Sequence, residues 1–310
     1  MRALTLLAGL LIVTCISLLI SLLSGSVAIS WQDLLGIMAG HGDPLQSQVI
    51  VDLRWPRSVS AFTTGALLSL AGALMQVLLR NPLADPYVLG VSGGAATGAL
   101  LALLIGLGSL AMHSAAFGGA LFSMLLVFGL SHGSGNWTTN RLLLTGVVVA
   151  AGWGAVIGFL LALSPEQGLR GMLFWLMGDL SRATYPVPGL LVLLGGLLIA
   201  VMAGRPLNIL TRGEQIAASL GVNVVALRRL IYLLASLLSA TAVTLAGSIG
   251  FVGLIVPHML RLLGVRDHRL LLPASALLGG SLLIIADTLA RTLLAPRQLP
   301  VGILTALVGV

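Results

Sequence analysis

Apolar residues in this sequence gather into long runs, broken by short polar stretches. The runs cover 3–23, 59–79, 88–106, 112–131, 142–163, 187–203, 230–246, 251–265 and 271–290. A helix that crosses a bilayer needs about 20 mostly apolar residues, so each run is a candidate span. A last run begins at Val301 and stops with the sequence at Val310, which predicts a tenth span that continues past the given end. The pattern predicts an all-α polytopic membrane protein of about ten transmembrane helices, with 1–310 as a single transmembrane domain.

Two stretches do not span. The segment 204–229 carries Arg205, Asn208, Arg212, Glu214, Gln215, Asn223, Arg228 and Arg229, with Ile216, Leu220 and Val224 at helical spacing. That predicts one or two short amphipathic helices outside the bilayer. The segment 164–188 is polar at both ends and apolar over 169–180, which predicts a short helix at the membrane surface. Small residues recur inside the spans: Gly94 with Gly98, Gly154 with Gly158, Gly247, Gly250 and Gly253, and Gly279 with Gly280. Such spacings let helix backbones approach closely; they suit tight packing of a many-helix bundle or surfaces that slide or line a pathway. A faint repeat takes Leu70-Ala71-Gly72 to Leu245-Ala246-Gly247 and Pro82 to Pro257. It falls on spans of opposite direction, the arrangement of inverted-repeat transporters.

Composition supports this pattern. Of 310 residues, 58% are hydrophobic and 8% charged, against roughly 45–50% and about 25% in soluble domains. Too few charges remain to cover a soluble surface, and the hydrophobicity excludes disorder. All 16 basic residues are Arg, and with nine acids the net charge is +7. The Arg residues lie mostly between apolar runs, so topology explains them better than nucleic acid does. With the N-terminus inside, Arg2, Arg80, Arg141, Arg205, Arg212, Arg228, Arg229, Arg261, Arg266 and Arg269 fall inside, while Arg54, Arg57, Arg170, Arg182, Arg291 and Arg297 fall outside. The bias favours a cytoplasmic N-terminus. The first run could also be a signal peptide, with Arg2, an apolar core and the small residues Ser26 and Ala28, but its core is about twice the usual length. The single cysteine, Cys15, excludes an internal disulfide and a cysteine-based metal site.

Candidate chemistry is sparse. Asp287 is the only acid deep in an apolar run, with Arg291 one helical turn on. The two fit a structural ion pair; a proton or ion relay is the alternative, which would make the chain an ion-coupled secondary transporter. His258 follows Pro257 with no second ligand at metal spacing, and His268 stands beside Asp267; hydrogen-bonding roles suit both. Gly90-Val91-Ser92-Gly93 matches the Gly-x-Ser-Gly of intramembrane serine proteases, for which His258 could formally take the serine proton; Ser92 also suits a helix cap. A phosphate loop needs Lys, and the sequence has none, so this chain does not bind ATP in that way.

The stretch Arg80-Asn81-Pro82-Leu83-Ala84-Asp85-Pro86-Tyr87-Val88-Leu89-Gly90-Val91-Ser92-Gly93-Gly94-Ala95 resembles the Asn-Pro-Leu-Ala-x-Pro-x-x-Leu-Gly-x-x-x-Gly-Ala segment of the permease subunits of bacterial ABC importers for iron–siderophore, haem and cobalamin. Four further stretches are similar to that family. They are Leu53-Arg54-Trp55-Pro56-Arg57; Gly250-Phe251-Val252-Gly253-Leu254-Ile255-Val256-Pro257-His258 with Arg261; Asp267-His268-Arg269 with Pro273; and Ala286-Asp287 with Ala290-Arg291, then Leu299-Pro300-Val301-Gly302. Order and spacing match over nearly the whole chain.

The resemblance implies two ten-helix permease subunits, identical or sister chains, around a central pathway in the bacterial inner membrane. Two cytoplasmic ATPases hold ATP and magnesium, and an external substrate-binding protein delivers a ferric chelate, cobalamin or haem. It implies no catalytic residue, metal, cofactor or nucleic acid on this chain itself. It gives 204–229 a coupling role, with Arg212, Glu214, Ala217, Ala218, Leu220 and Gly221 meeting the ATPase. It gives Arg54, Arg57 and Arg291 the docking of acidic residues on the binding protein, for which guanidinium groups are suited. Asn81, Pro82, Pro86, Gly90, Gly253, Pro257, His258 and Asp287 fall on family motif positions.

Overall fold

The computed structural model describes residues 2–131, 139–181, 186–295 and 297–309. Arg182, one of the outward-assigned arginines, lies outside the described residues. The described chain is helical, with no strand.

Helix α1 (Arg2–Leu23) is followed by two short helices that the hydropathy runs did not show. In α2 (Trp31–Met38), Ser30 and Asp33 form a reciprocal capping box, and α3 (Pro44–Gln48) starts with Pro44 after the Asp43 cap. A π-helical segment, Val49–Arg54, leads directly into α4 (Trp55–Leu78). A 3-10 turn (Pro86–Leu89) precedes α5 (Val91–Leu104); then come α6 (Ser109–Ser131) and α7 (Thr139–Leu163). Helix α8 (Glu166–Leu176) falls where a short helix at 169–180 was expected. Next are α9 (Pro186–Met202), α10 (Gly204–Leu210), α11 (Glu214–Ser219), α12 (Val224–Ala246), α13 (Val252–Leu262), α14 (His268–Thr292) and α15 (Val301–Gly309).

Among the described residues six helices are long and apolar enough to cross a membrane alone, or seven if α9 and α10, bent by 59°, count as one span. The ten expected spans are not all of that kind. The runs at 88–106 and 251–265 form shorter helices, 14 and 11 residues long, and the last forms nine residues. Turn chemistry shortens two of these. Asp85 caps the 3-10 turn and Gly90 (φ 70°) opens α5, while Gly264 (φ 87°) follows the end of α13.

Helix α4 is the centre of the bundle. It packs on α9, α12, α13 and α14, and 94% of its most apolar window is buried, against 17% for α1 and for α7. Lipid tails are as apolar as leucine, so helices pair in a membrane through close packing at small residues. At Gly72 a Cβ would collide with the backbone of Gly253, and at Gly65 with that of Gly279. Gly94 and Gly98 press in the same way on Gly119 and Ala115 of α6. Gly154 and Gly158 behave differently: nothing lies within 4 Å of either, and they stand on an exposed face of α7. Among the described residues, the packing expected of that pair does not occur.

The 175-residue repeat does not superpose on the elements. Leu70-Ala71-Gly72 lies inside α4, whereas Leu245-Ala246-Gly247 closes α12; Pro82 is in a loop and Pro257 is inside α13. A repeat exists at the level of elements instead. A long helix, a short apolar one and another long one occur as α4–α5–α6 and as α12–α13–α14, and the packing is crossed: α4 lies on α13 and α14, and α12 on α5 and α6.

Candidate functional site

Two polar clusters stand at opposite ends of α4. At its start, Asp287 of α14 is 1% exposed and is held by two guanidiniums. Arg57 Nε donates to Oδ1 and Oδ2 at 3.1 and 3.0 Å, and Nη2 to Oδ1 at 2.9 Å. Arg291 Nε lies 3.1 Å from Oδ2 at the i,i+4 spacing read from the sequence. The second hydrogen-bonding face of each arginine is also used: Arg57 Nη1 donates to Gln298 Oε1 at 2.9 Å, and Arg291 Nη2 to Ser21 Oγ at 2.9 Å. A carboxylate this deep requires paired partners, and it has them.

Arg54 is 5% exposed and serves another end. Its Nη1 donates to the Leu22 and Leu23 carbonyls at 2.6 and 3.1 Å, and its Nη2 to Val27 O at 2.5 Å. These include the last carbonyls of α1, which no later backbone N–H can reach, so the side chain closes the helix. Gly25 makes room for it, since a Cβ there would lie 2.6 Å from Arg54 Nη2. Arg54, Arg57 and Arg291, which the resemblance assigned to docking, are thus already tied to groups within the protein. They line a hollow of about 350 Å³ together with Asp52, Ser181 and Gln298. Asp287 is occupied by both arginines, which gives the relay reading no free carboxyl.

At the other end of α4 stands α11, bracketed by Gly213 (φ 126°) and Gly221 (φ 80°). Glu214 Oε1 accepts from Arg80 Nη2 at 2.7 Å and from Arg228 Nη1 at 3.2 Å, joining α11 to the end of α4 and to α12. Ala217 is fully buried against the protein and is not available to a partner. Ile216 (48% exposed) and Leu220 (62%) point outward with Ala218, Arg212 and Gly221. Asn208 ties α10 to α14: its Nδ2 donates to Asp267 Oδ1 at 2.7 Å, and its Oδ1 faces His268 N and Nδ1 at 2.9 and 2.6 Å. The Asn208 amide holds the Asp267 carboxyl below the usual range.

The motif positions in the middle of the chain meet one another. Asn81 Oδ1 accepts from Leu83 N and closes an Asx turn. A Cβ at Gly253 would lie 2.8 Å from Pro86 Cδ; Tyr87 Oη accepts from Ile249 N at 3.3 Å; and Gln76 Nε2 donates to the Leu254 carbonyl at 3.2 Å. Ser92 Oγ donates to Ser248 Oγ at 2.9 Å, so its proton goes to a serine and not to His258, and a serine-protease arrangement is not assembled. Pro257 is buried inside α13, and neighbouring His258 is half-buried. Arg80, Arg228, Gln76, Asn208, Ser21 and Gln298 are the connecting residues that sequence reasoning did not assign to these sites. Only their three-dimensional partners reveal them.

The FecCD transport family matches residues 11–310 of the chain. The cobalamin import permease BtuC of Halobacterium salinarum is 44% identical over 86% of this chain and 73% of its own length. The hemin transport permease HmuU of Yersinia pestis is 43% identical over 84% of this chain and 80% of its own. A solved structure described as an inward-facing conformation of a metal-chelate type ABC transporter superposes with a TM-score of 0.89 at 33% identity, covering 98% of this chain and 96% of that one.

Proposed function

The chain belongs to the FecCD transport family and is a multi-pass ABC importer permease, and on that premise we propose that it moves a ferric chelate of the iron–siderophore type across the bacterial inner membrane by alternating access. The observation that carries the mechanism is α11, a short helix with Ile216 and the adjoining Leu220 exposed, held from behind by Ala217 and by the Glu214 ion pair to buried Arg228. An apolar helix face of this kind suits a groove on a partner ATPase and passes its movement on as a rigid push. ATP and magnesium belong to that partner. The face bearing α11 is then cytoplasmic, as is the N-terminus.

The opposite face receives the binding protein. Carboxylates from that protein would reach Arg54, Arg57 and Arg291 within their hollow, with charge setting register and encounter rate more than affinity. The exposed Gly154 and Gly158 of α7 suit close approach of a second permease, identical or sister, because small residues let backbones meet in lipid.

The names of two relatives favour a second reading for the cargo, cobalamin or haem. The test is uptake into proteoliposomes that hold this permease, its ATPase and its binding protein. ATP-dependent accumulation of radiolabelled ferric chelate, insensitive to ionophores, is expected. Accumulation of cobalamin or haem with no ferric chelate would replace the cargo. Uptake that needs an ion gradient and no ATP would refute the mechanism.

A further inference from the structure

Arg80 has a backbone that an arginine rarely adopts. Its φ is 49°, the left-handed region, and it directly follows α4. Its N–H donates to Val77 O at 3.3 Å, and the next N–H, of Asn81, donates to Gln76 O at 3.2 Å. This is the Schellman ending, at whose left-handed position glycine is the unstrained choice. Glycine follows this rule elsewhere in the chain, at Gly221 and Gly264 after α11 and α13. A strained non-glycine residue persists where its side chain has a task. Here the side chain reaches Glu214 at 2.7 Å, on the helix that faces the ATPase in the function proposed above.

The pair does little for the fold. Its side chains are 45% and 39% exposed, and exposed ion pairs are weak. Position distinguishes it. Arg57 stands near the start of α4 and Arg80 just past its end, about 35 Å apart along the helix. Between them α4 is almost wholly buried, and at Gly65 and Gly72 it touches backbone directly, so it moves as a body with its neighbours. Each end therefore carries an arginine bound to a carboxylate on another element: Arg57 to Asp287 of α14, and Arg80 to Glu214 of α11.

We propose that α4 transmits the state of the arginine-lined hollow to α11, and that Arg80 is the positioning residue at the joint, kept in a strained backbone for its bond to Glu214. When a carboxylate of the docked binding protein draws on Arg57, the shift of α4 reaches α11 through the Arg80–Glu214 pair. The reverse holds by linkage: a nucleotide-driven movement of α11 alters affinity for the binding protein by the same factor. The inference rests on the reading of α11 as the ATPase contact.

The test uses the assembled permease and ATPase in nanodiscs, with the ligand-loaded binding protein added at saturation. Arg80→Gly relieves the strained backbone and removes the charge, so a merely structural role predicts equal or higher thermal stability and no other change. The proposal predicts an unchanged or raised thermal midpoint and unchanged ATPase-to-permease stoichiometry, with stimulation of ATPase rate by the binding protein falling at least threefold. Arg80→Lys should keep most of the stimulation. The nucleotide-dependent change in binding-protein affinity should shrink in parallel. A fall of less than threefold in Arg80→Gly overturns the proposal. So does loss of the ATPase from that variant, because the pair would then only hold α11 in place. Leu220→Asp separates the two claims. If it leaves ATPase association intact, the reading of α11 fails; if it abolishes association while Arg80→Gly changes nothing, only the transmission claim fails.

Discussion

Replacing Asp287 by Asn removes one charge from a site where three meet. The carboxylate is 1% exposed, and its partners Arg57 and Arg291 are 13% and 8% exposed. Breaking a buried pair by removing one partner costs about 3–5 kcal/mol, because the remaining charge stays buried and unpaired. Two guanidiniums would be left here, facing each other. Gln298 and Ser21 still accept from them, and the adjacent hollow of about 350 Å³ admits water, which argues for the lower part of that range. A loss of about 3 kcal/mol corresponds to more than a hundredfold shift in the folding equilibrium. The assay is equilibrium unfolding of the purified permease in mixed micelles, with helix content as the signal. Substituting Asp287, Arg57 and Arg291 together by Leu should recover at least half of the loss, because no buried charge is then orphaned. A loss below about 1 kcal/mol for Asp287→Asn would refute the reading of these residues as a buried structural triad. A variant that stays as stable as wild type yet loses all uptake would restore the relay reading of Asp287.

Gly72→Ala drives a methyl into the backbone of Gly253 and should destabilise the bundle by about 1–3 kcal/mol in the same assay, whereas Gly158→Ala, with open space around it, should change the isolated chain by less than about 0.5 kcal/mol. Ile216→Asp combined with Leu220→Asp places charge on the exposed face of α11 and should lower co-purification of the ATPase about tenfold while leaving permease stability unchanged. The Asp267 carboxyl is held below its ordinary value of about 3.9, so its contribution is present above that value and is lost as pH falls through the lowered folded value. Hydrogen exchange at the start of α14 should accelerate below about pH 4, and Asn208→Ala should weaken that dependence because the amide is the main cause of the shift.

Much of the fold could be read from hydropathy because lipid imposes a simple rule: an apolar run of sufficient length must close its own backbone hydrogen bonds as a helix. That rule located α1, α6, α7, α9 and α14 to within three residues, and the end of α12, whose start at Val224 falls inside the break read at 204–229. It failed where local turn chemistry intervened. Helices α2 and α3 depend on Ser30, Asp33 and Asp43 as caps rather than on apolar length. The start of the second span was read at 59, whereas continuous helix runs over Pro44–Leu78, because Asp52, Arg54 and Arg57 break the apolar run, while Asp52 stays exposed and the two arginines are satisfied within the protein.

Composition and the ordered motifs, properties of the chain read in one dimension, were enough to show a helical membrane permease, and the absence of lysine excludes a phosphate loop of the Gly-Lys-Ser/Thr kind. The sequence also offered Asp287 with Arg291, which are neighbours by helical spacing alone. Contacts in three dimensions were needed to show that Arg57 completes that pair, that Arg54 closes α1, that Ala217 faces inward, and that Arg80 joins α4 to α11. The physical reason is common to the three arginines. A charged side chain in or near a bilayer is governed by whichever carbonyl or carboxylate the fold brings within about 3 Å, and partners 230 residues apart, such as Arg57 and Asp287, leave no periodicity in the sequence to announce them.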